Sequence, residues 1–458
     1  MTHDAPIELI LSNQLRLKNL PEDLREELIQ KLTLVNPKWV ENERMGRWNR
    51  NTPNTLRFFR RAGQGGLIIP RGYIRRLISG LNEMDQPWKL TDKRRELPAV
   101  DFSFSGTLRP FQEIATNAML AKAFGTLCAP TGSGKTVMAL YIIAQRRQPA
   151  VIVVHTKELA FQWVNQIGAF LKIPEKQVGI IGAGKQRMGD KITVCLVQSL
   201  YKQAETVSKG CGFIIVDECH RTPSRTFTEA LTAFDAKYML GLSATPWRRD
   251  RLSKLIFWHL GDVHHEIEKS ILVESGDVLS AEVIVRNTDF KPFHDPTKEY
   301  SKMLTELTAN DARNRLIAED VAKEAASSKG VCLVLTDRKH HGETLNALLK
   351  YKHKIKSALL TGDLSTQQRK AVLDDLNKGA VKVLVATGQL VGEGFDSKHL
   401  TTLFLATPIR FSGRVLQYLG RVLRPAPNKE KARVFDYVDV QVPVLVKAAQ
   451  ERRRVYDR

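Results

Sequence analysis

The run Ala129-Pro130-Thr131-Gly132-Ser133-Gly134-Lys135-Thr136 has the residue types and order of a phosphate cradle. Gly132, Ser133 and Gly134 let the backbone turn its N–H groups toward an anion. The helix that follows adds its positive end, and Lys135 reaches the β- and γ-phosphates. Thr136 is placed to give its hydroxyl to Mg²⁺. Ala129 stands where the general pattern has its first glycine. The flanks suit the motif, with an apolar strand at Thr126-Leu127-Cys128 and an apolar helix from Val137 to Ile143. The chain is therefore expected to bind a nucleoside triphosphate, ATP, with Mg²⁺.

Three more constellations could act on that triphosphate. Asp217-Glu218-Cys219-His220 follows the apolar run Phe213-Ile214-Ile215-Val216. A strand ending in two carboxylates suits a metal ligand in Asp217 and a water-orienting base in Glu218. Gly241-Leu242-Ser243-Ala244-Thr245-Pro246 ends another strand, and the short hydroxyls of Ser243 and Thr245 could link the acidic loop to a neighbouring lobe. Arg421 and Arg424, three apart in Gln417–Arg424, share a helical face. From there they could stabilise charge on a transferring γ-phosphoryl group.

These groups need elements to hold them. From Gly106 to Leu260 apolar strands (126–128, 151–154, 192–197, 213–216 and 238–242) alternate with helices such as Lys157–Leu171. The rhythm restarts after Gly330 with strands at 331–335, 357–360, 381–385, 401–405 and 432–437 and helices at 366–377 and 414–423. Such alternation predicts an α/β fold, two lobes each with a parallel sheet flanked by helices. The expected division is an accessory domain over 1–104, lobes over 105–266 and 325–458, and a connection over 267–324 carrying small elements of its own.

The formal charge of +21 over 458 residues calls for a polyanionic partner, and beside an ATP loop that partner is nucleic acid. No run of eighteen apolar residues suggests a membrane span, and no signal pattern opens the chain, so a cytoplasmic protein is expected. The five cysteines are scattered without a Cys-x-x-Cys pair, which makes a structural zinc unexpected, and Cys128, Cys195 and Cys332 read as reduced core residues.

Basic residues concentrate near the start. Met45 to Asn82 holds no acid but carries Arg47, Arg50, Arg57, Arg60, Arg61, Arg71, Arg75 and Arg76, just after Arg44. Arginine forks grip phosphate, and the interleaved Trp48, Phe58, Phe59 and Tyr73 could stack on bases. Phe58, Phe59 and Ile68-Ile69 are better read as core. A second run, Arg452-Arg453-Arg454, reads as a solvated helix end.

The order of motifs resembles the superfamily-2 DExH helicases and translocases, in particular the XPB/UvsW branch. Leu108-Arg109-Pro110-Phe111-Gln112 resembles that branch's adenine-reading motif, which gives Arg109 and Gln112 a nucleotide-binding role. Val153–Leu159, Val197–Leu200 and Leu335–Arg338 match further motifs in order. Ala386–Asp396 matches the motif that implies nucleotide contacts from Gly394 and Asp396. The resemblance spans Gly106 to Asp439 and implies two tandem RecA-like domains closing on ATP. It implies a catalytic set of Lys135, Glu218, Arg421 and Arg424. It also implies strand contacts near Thr156, Gln198 and Thr387, with coupling through His220, Ser243, Thr245 and Gln417. Cys219-His220 and the Gln417 opening depart from the RNA-specific DEAD class, so the expectation is an ATP-driven DNA motor in repair, recombination or phage defence. An RNA helicase, or an ATP-gated clamp or motor subunit that recruits a nuclease, stand as alternatives.

Overall fold

The computed structural model describes residues 5–221, 225–244, 252–328, 330–388, 399–409, 418–419, 429 and 432–456. There are two compact units, one comprising Met1–Ala129 and Gly134–Ile267, the other Pro130–Ser133 and Glu268–Arg458. Each carries a RecA-like α/β domain, and the first also carries a small amino-terminal sheet.

That small sheet contains β1 (Ile7–Leu11), β2 (Leu15–Lys18), β5 (Arg60–Arg61), β6 (Leu67–Ile69) and β7 (Trp88–Asp92), in the order β5-β6-β2-β1-β7. Alternation puts Ile7, Leu9, Leu11, Leu15 and Leu17 on one buried face. Helices α1 (Glu22–Lys31) and α3 (Ile74–Glu83) cover it through Leu24, Leu28, Ile74, Leu77 and Leu81. Strands β3 (Thr33–Val35) and β4 (Thr55–Arg57) leave this sheet as a separate antiparallel ribbon, with α2 (Pro37–Arg44) between them.

The first RecA-like sheet has β8 (Phe124–Cys128), β9 (Ala150–Val154), β10 (Gly179–Gly182), β11 (Lys185–Arg187), β12 (Ile192–Leu196), β13 (Phe213–Val216), β14 (Tyr238–Ser243) and β15 (Val263–Glu266). Their order is β11-β10-β12-β9-β13-β14-β8-β15, parallel except for the edge strand β11. β9, β12 and β13 are buried along their whole length, as expected where helices cover both faces. The helices are α4 (Pro110–Leu120), α5 (Lys135–Arg146), α6 (Lys157–Leu171), α7 (Val197–Lys209), α8 (Arg225–Leu231) and α9 (Lys254–Leu260).

Helix α9 joins the two sheets of this unit. Leu255 and Trp258 belong to the same core as the amino-terminal strands, and the Trp258 ring lies edge-on to Tyr73 and Phe58. At Gly72 an added Cβ would lie 2.4 Å from the Phe257 carbonyl oxygen, so only glycine fits this approach. Arg71 is 2% exposed and donates to the Ala236 carbonyl at 2.8 Å. Burial lowers its pKa to about 10. Arg76 pairs with Asp262 at 2.6 Å.

The second unit has α10 (Lys269–Glu274), β16 (Ala281–Thr288), α11 (Tyr300–Ala309), α12 (Asp311–Ser327), β17 (Val331–Thr336), α13 (Lys339–Ala347), β18 (Ser357–Leu360), α14 (Thr366–Asn377), β19 (Val383–Thr387), β20 (Leu400–Leu405) and β21 (Ala432–Asp439). A helix over Pro443–Tyr456 follows. The parallel sheet runs β16-β21-β20-β17-β19-β18. The connecting segment thus supplies an edge strand, β16, and helix α12, whose Ile317 and Val321 enter the core. Buried ion pairs fasten the sheet's ends: Arg313 with Asp439 at 2.7 Å and Arg452 with Asp436 at 2.7 Å. Arg452 is therefore not part of a solvated helix end. It is 2% exposed and also donates to the Ile409 carbonyl at 3.0 Å, whereas Arg453 and Arg454 face solvent.

Arginines of one segment thus differ in kind. Arg71→Ala should destabilise the first unit by about 2 kcal/mol in urea unfolding, because it removes charge-assisted bonds and leaves a buried carbonyl unpaired. Arg57→Ala, at an exposed position, should change it by less than about 0.5 kcal/mol.

Candidate nucleotide site

Several of the residues predicted to do chemistry lie where strands of the first RecA-like sheet end at their carboxyl edge, the usual place for a ligand in such sheets. β8 runs into the loop at Ala129, β9 into Thr156, β12 into Gln198, and β13 into Asp217 and Glu218. β14 ends on Ser243. The Ala129 N–H donates to the Ser243 carbonyl at 2.9 Å, which ties the start of the loop to β14.

Gly132 and Gly134 have φ of +96° and +79°, the left-handed region that a side chain disfavours. Gly134 caps α5, so Lys135 and Thr136 open that helix. Lys135 Nζ donates to the Ala129 carbonyl at 2.9 Å, which holds the ammonium over the loop. Gln112, 5% exposed in the first turn of α4, comes close to the same loop. A Cβ built on Gly134 would lie 2.5 Å from its amide nitrogen. Its Oε1 accepts from the Arg109 N–H at 3.0 Å, which fixes the amide at the helix start. The structure thus brings Arg109, Gln112, Gly134, Lys135 and Thr136 to one place.

At the end of β13, Asp217 is 7% exposed. Its Oδ1 accepts from the Glu218 N–H at 2.9 Å and its Oδ2 from the Trp163 indole at 2.8 Å. Burial raises the Asp217 carboxyl to about 6, the adjacent Glu218 pushes it the same way, and the indole bond opposes both. Glu218 has φ of +48°, a conformation that costs about 1–3 kcal/mol and persists where surroundings enforce it. His220 Nδ1 lies 3.2 Å from Glu218 Oε2 and 3.0 Å from Ser243 Oγ, so the acidic loop and the end of β14 meet through one imidazole. Sequence reasoning missed Trp163. The available signal was an indole at a core position of α6, whose N–H needs a buried acceptor.

A hard divalent cation fits this donor set. Asp217 offers carboxylate oxygens beside a second acid, and a cation would relieve the repulsion between them. Thr136, at the second position of α5, would add its hydroxyl.

Of the remaining predicted residues, Thr156 caps α6 by accepting from the Leu159 N–H at 3.3 Å. Gln198 is exposed on the first turn of α7, and Thr387 ends β19 in the second unit. Arg47, Arg50, Arg57, Arg60, Arg61 and Arg75 are all exposed. Not all lack partners, however. Arg61 lies 3.6 Å from Glu26, Arg60 donates to Gln14, and Arg75 lies 3.4 Å from His264 Nδ1. Phe58 and Phe59 pack against the amino-terminal core, and Ile69 is fully buried, so these are core residues. Thr245, Gly394, Asp396, Gln417, Arg421 and Arg424 lie outside the described residues.

Known proteins place this geometry. Residues 105–248 match the family described as the res subunit of type III restriction enzymes, and residues 310–426 match the helicase conserved C-terminal domain. A DNA 3'-5' translocase XPB2 from Sulfurisphaera tokodaii is 27% identical, over 69% of this chain and 78% of that protein. The chain is a superfamily-2 helicase. A putative ATP-dependent RNA helicase of Acanthamoeba polyphaga mimivirus is also 27% identical to this helicase, over 85% of the chain and 74% of the relative. The helicase domain of Hef from Pyrococcus furiosus shares the fold, with TM-score 0.50 and 16% identity over 75% of this helicase and 98% of that domain. The helicase is an ATP-dependent nucleic-acid ATPase. Among the described residues no helix is long and apolar enough to cross a membrane.

Gly134→Ala should weaken ATP binding by the helicase roughly tenfold, since the left-handed backbone disfavours alanine by about 1–2 kcal/mol and the Gln112 amide must give way. Calorimetric titration with ATP reads this directly. Unchanged affinity would mean that the loop rebuilds without cost.

Proposed function

We propose that this helicase is a DNA motor: it hydrolyses ATP to move on, unwind or remodel DNA, branched DNA included. The observation that carries the reading is the exposed, arginine-rich amino-terminal face on a protein of charge +21. The Cys219-His220 pair supports it, as does the sequence likeness to a protein named a DNA translocase.

In this reading Lys135 and the loop N–H groups bind the triphosphate, and Gln112 with Arg109 recognises the base. Asp217 and Thr136 hold Mg²⁺, which supplies charge neutralisation at the β- and γ-phosphates when bound. Glu218 orients the attacking water and takes its proton. His220 and Ser243 carry the state of that acid to the end of β14, with Thr245 and Gln417 as further coupling groups. Arg421 and Arg424 meet the γ-phosphoryl charge, and Gly394 and Asp396 serve the same nucleotide. Thr156, Gln198 and Thr387 grip the tracked strand. Residues 1–104 form the accessory DNA-binding domain. Arginine-held phosphate makes affinity steeply salt-dependent. With about six phosphate contacts it should fall roughly 10³-fold between 50 and 200 mM salt.

Steady-state ATP hydrolysis with no nucleic acid, single-stranded DNA, duplex DNA, a branched junction or RNA tests the assignment. Duplex or junction DNA should stimulate turnover at least tenfold over the basal rate, and Lys135→Ala should abolish it. Stimulation by RNA alone would establish the RNA helicase reading, which the name of the mimivirus relative favours.

A further inference from the structure

The ribbon of β3 and β4 and the loop it carries serve no part of the ATP site. The excursion is nonetheless built with care. Asn36 caps α2 by accepting from the Lys38 N–H at 3.1 Å, and its amide donates to the Pro53 carbonyl at 2.8 Å. Its backbone N–H donates to the Asn54 carbonyl at 2.9 Å, which closes the base of the loop. After α2, Gly46 turns with φ of +62°, and the Arg47 N–H returns to the Asn42 carbonyl at 2.8 Å. Asn49 is fastened inward: it accepts from the Asn42 amide at 2.9 Å and donates to the Trp39 carbonyl at 3.2 Å and Glu43 at 3.0 Å.

This clasp fixes its neighbour. With Asn49 held against α2, Trp48 is displayed outward and is 82% exposed. An indole left in water forgoes the burial that usually places tryptophan in a core, and here the chain spends at least five hydrogen bonds keeping it there. The guanidinium of Arg50 lies 5.5 Å from the ring centroid. Arg47, Arg50 and Arg57 are exposed, with no carboxylate at ion-pair distance among the described residues. A single aromatic face among unpaired arginine forks matches a nucleotide, with its apolar base face and anionic phosphate, better than it matches an apolar peptide.

We propose that Trp48 is a base-stacking post. It stacks on the first unpaired base at a junction between single- and double-stranded DNA, while Arg47, Arg50 and Arg57 hold the flanking phosphates. This rests on the reading of the amino-terminal face as DNA-binding and adds to it a preference for DNA that exposes a base. Nothing in it depends on ATP hydrolysis.

The test uses the full chain and two DNAs, a forked duplex with 2-aminopurine at the first unpaired position and a blunt duplex of the same length. The wild-type protein should quench the 2-aminopurine on binding, and Trp48→Phe should keep most of the quenching. Trp48→Ala should lose it and bind the fork roughly tenfold more weakly, as expected for one lost stack, while binding blunt duplex within about twofold of wild type. The Arg47→Gln/Arg50→Gln/Arg57→Gln variant should weaken both complexes and reduce the salt slope by about three. If Trp48→Ala binds and quenches the fork like wild type while the arginine variant is weakened, the stacking post is overturned and the indole belongs to a protein partner. If the arginine variant is also unchanged on both DNAs, the reading of the face as DNA-binding fails with it.

Discussion

Two adjacent carboxylates at the end of one strand, Asp217 buried and Glu218 half-buried, govern the arrangement of this helicase's site. Water would keep both acids charged at little cost, but at the desolvated edge of the sheet burial and the neighbouring Glu218 raise the proton affinity of Asp217. The chain meets the cost locally. Asp217 spends its oxygens on the Trp163 indole and the Glu218 N–H, and Glu218 takes a left-handed backbone that sets its carboxylate beside His220. Such a pair makes little sense as structure alone, since apolar residues would be as stable there. Its donor set fits a hard divalent cation.

The loop from β8 follows the same logic in opposite charge. Glycines at φ of +96° and +79° turn N–H groups where a side chain would obstruct them, and the Lys135 ammonium is parked on the loop's own Ala129 carbonyl. Anion-seeking and cation-seeking groups are thus set at the edge of one sheet, on strands β8 and β13 separated in the sheet by β14. The His220–Ser243 bond bridges from the acid to that intervening strand. The same imidazole lies 3.2 Å from Glu218 Oε2, so it stands between the acid and β14.

Much of this was legible in the sequence because motif and strand coincide. Phe213–Val216 and Ser357–Leu360 appear with their expected bounds, and Lys157–Leu171 and Thr366–Asn377 form the expected helices. The parts that were not legible share one cause: their meaning depends on distant partners. β10 is bounded by Gly179 and Gly182, which read as punctuation, and β16 is a half-exposed edge strand inside a segment taken as a connection. Arg71 and Arg452 look like their exposed neighbours in sequence. Only the fold shows that one is buried and bonded to the Ala236 carbonyl, and that the other is locked to Asp436. Trp163 offered only an indole at a core position, because its acceptor lies fifty-four residues away.

Single-turnover hydrolysis by Glu218→Gln in the presence of DNA tests the central claim most directly, because the amide keeps the shape of the acid and removes its charge. The account predicts ATP binding within a few-fold of wild type and a hydrolysis rate lower by about 10²–10⁴-fold, the usual contribution of a positioned base. Hydrolysis at the wild-type rate would contradict it and would move the water-activating role to another group.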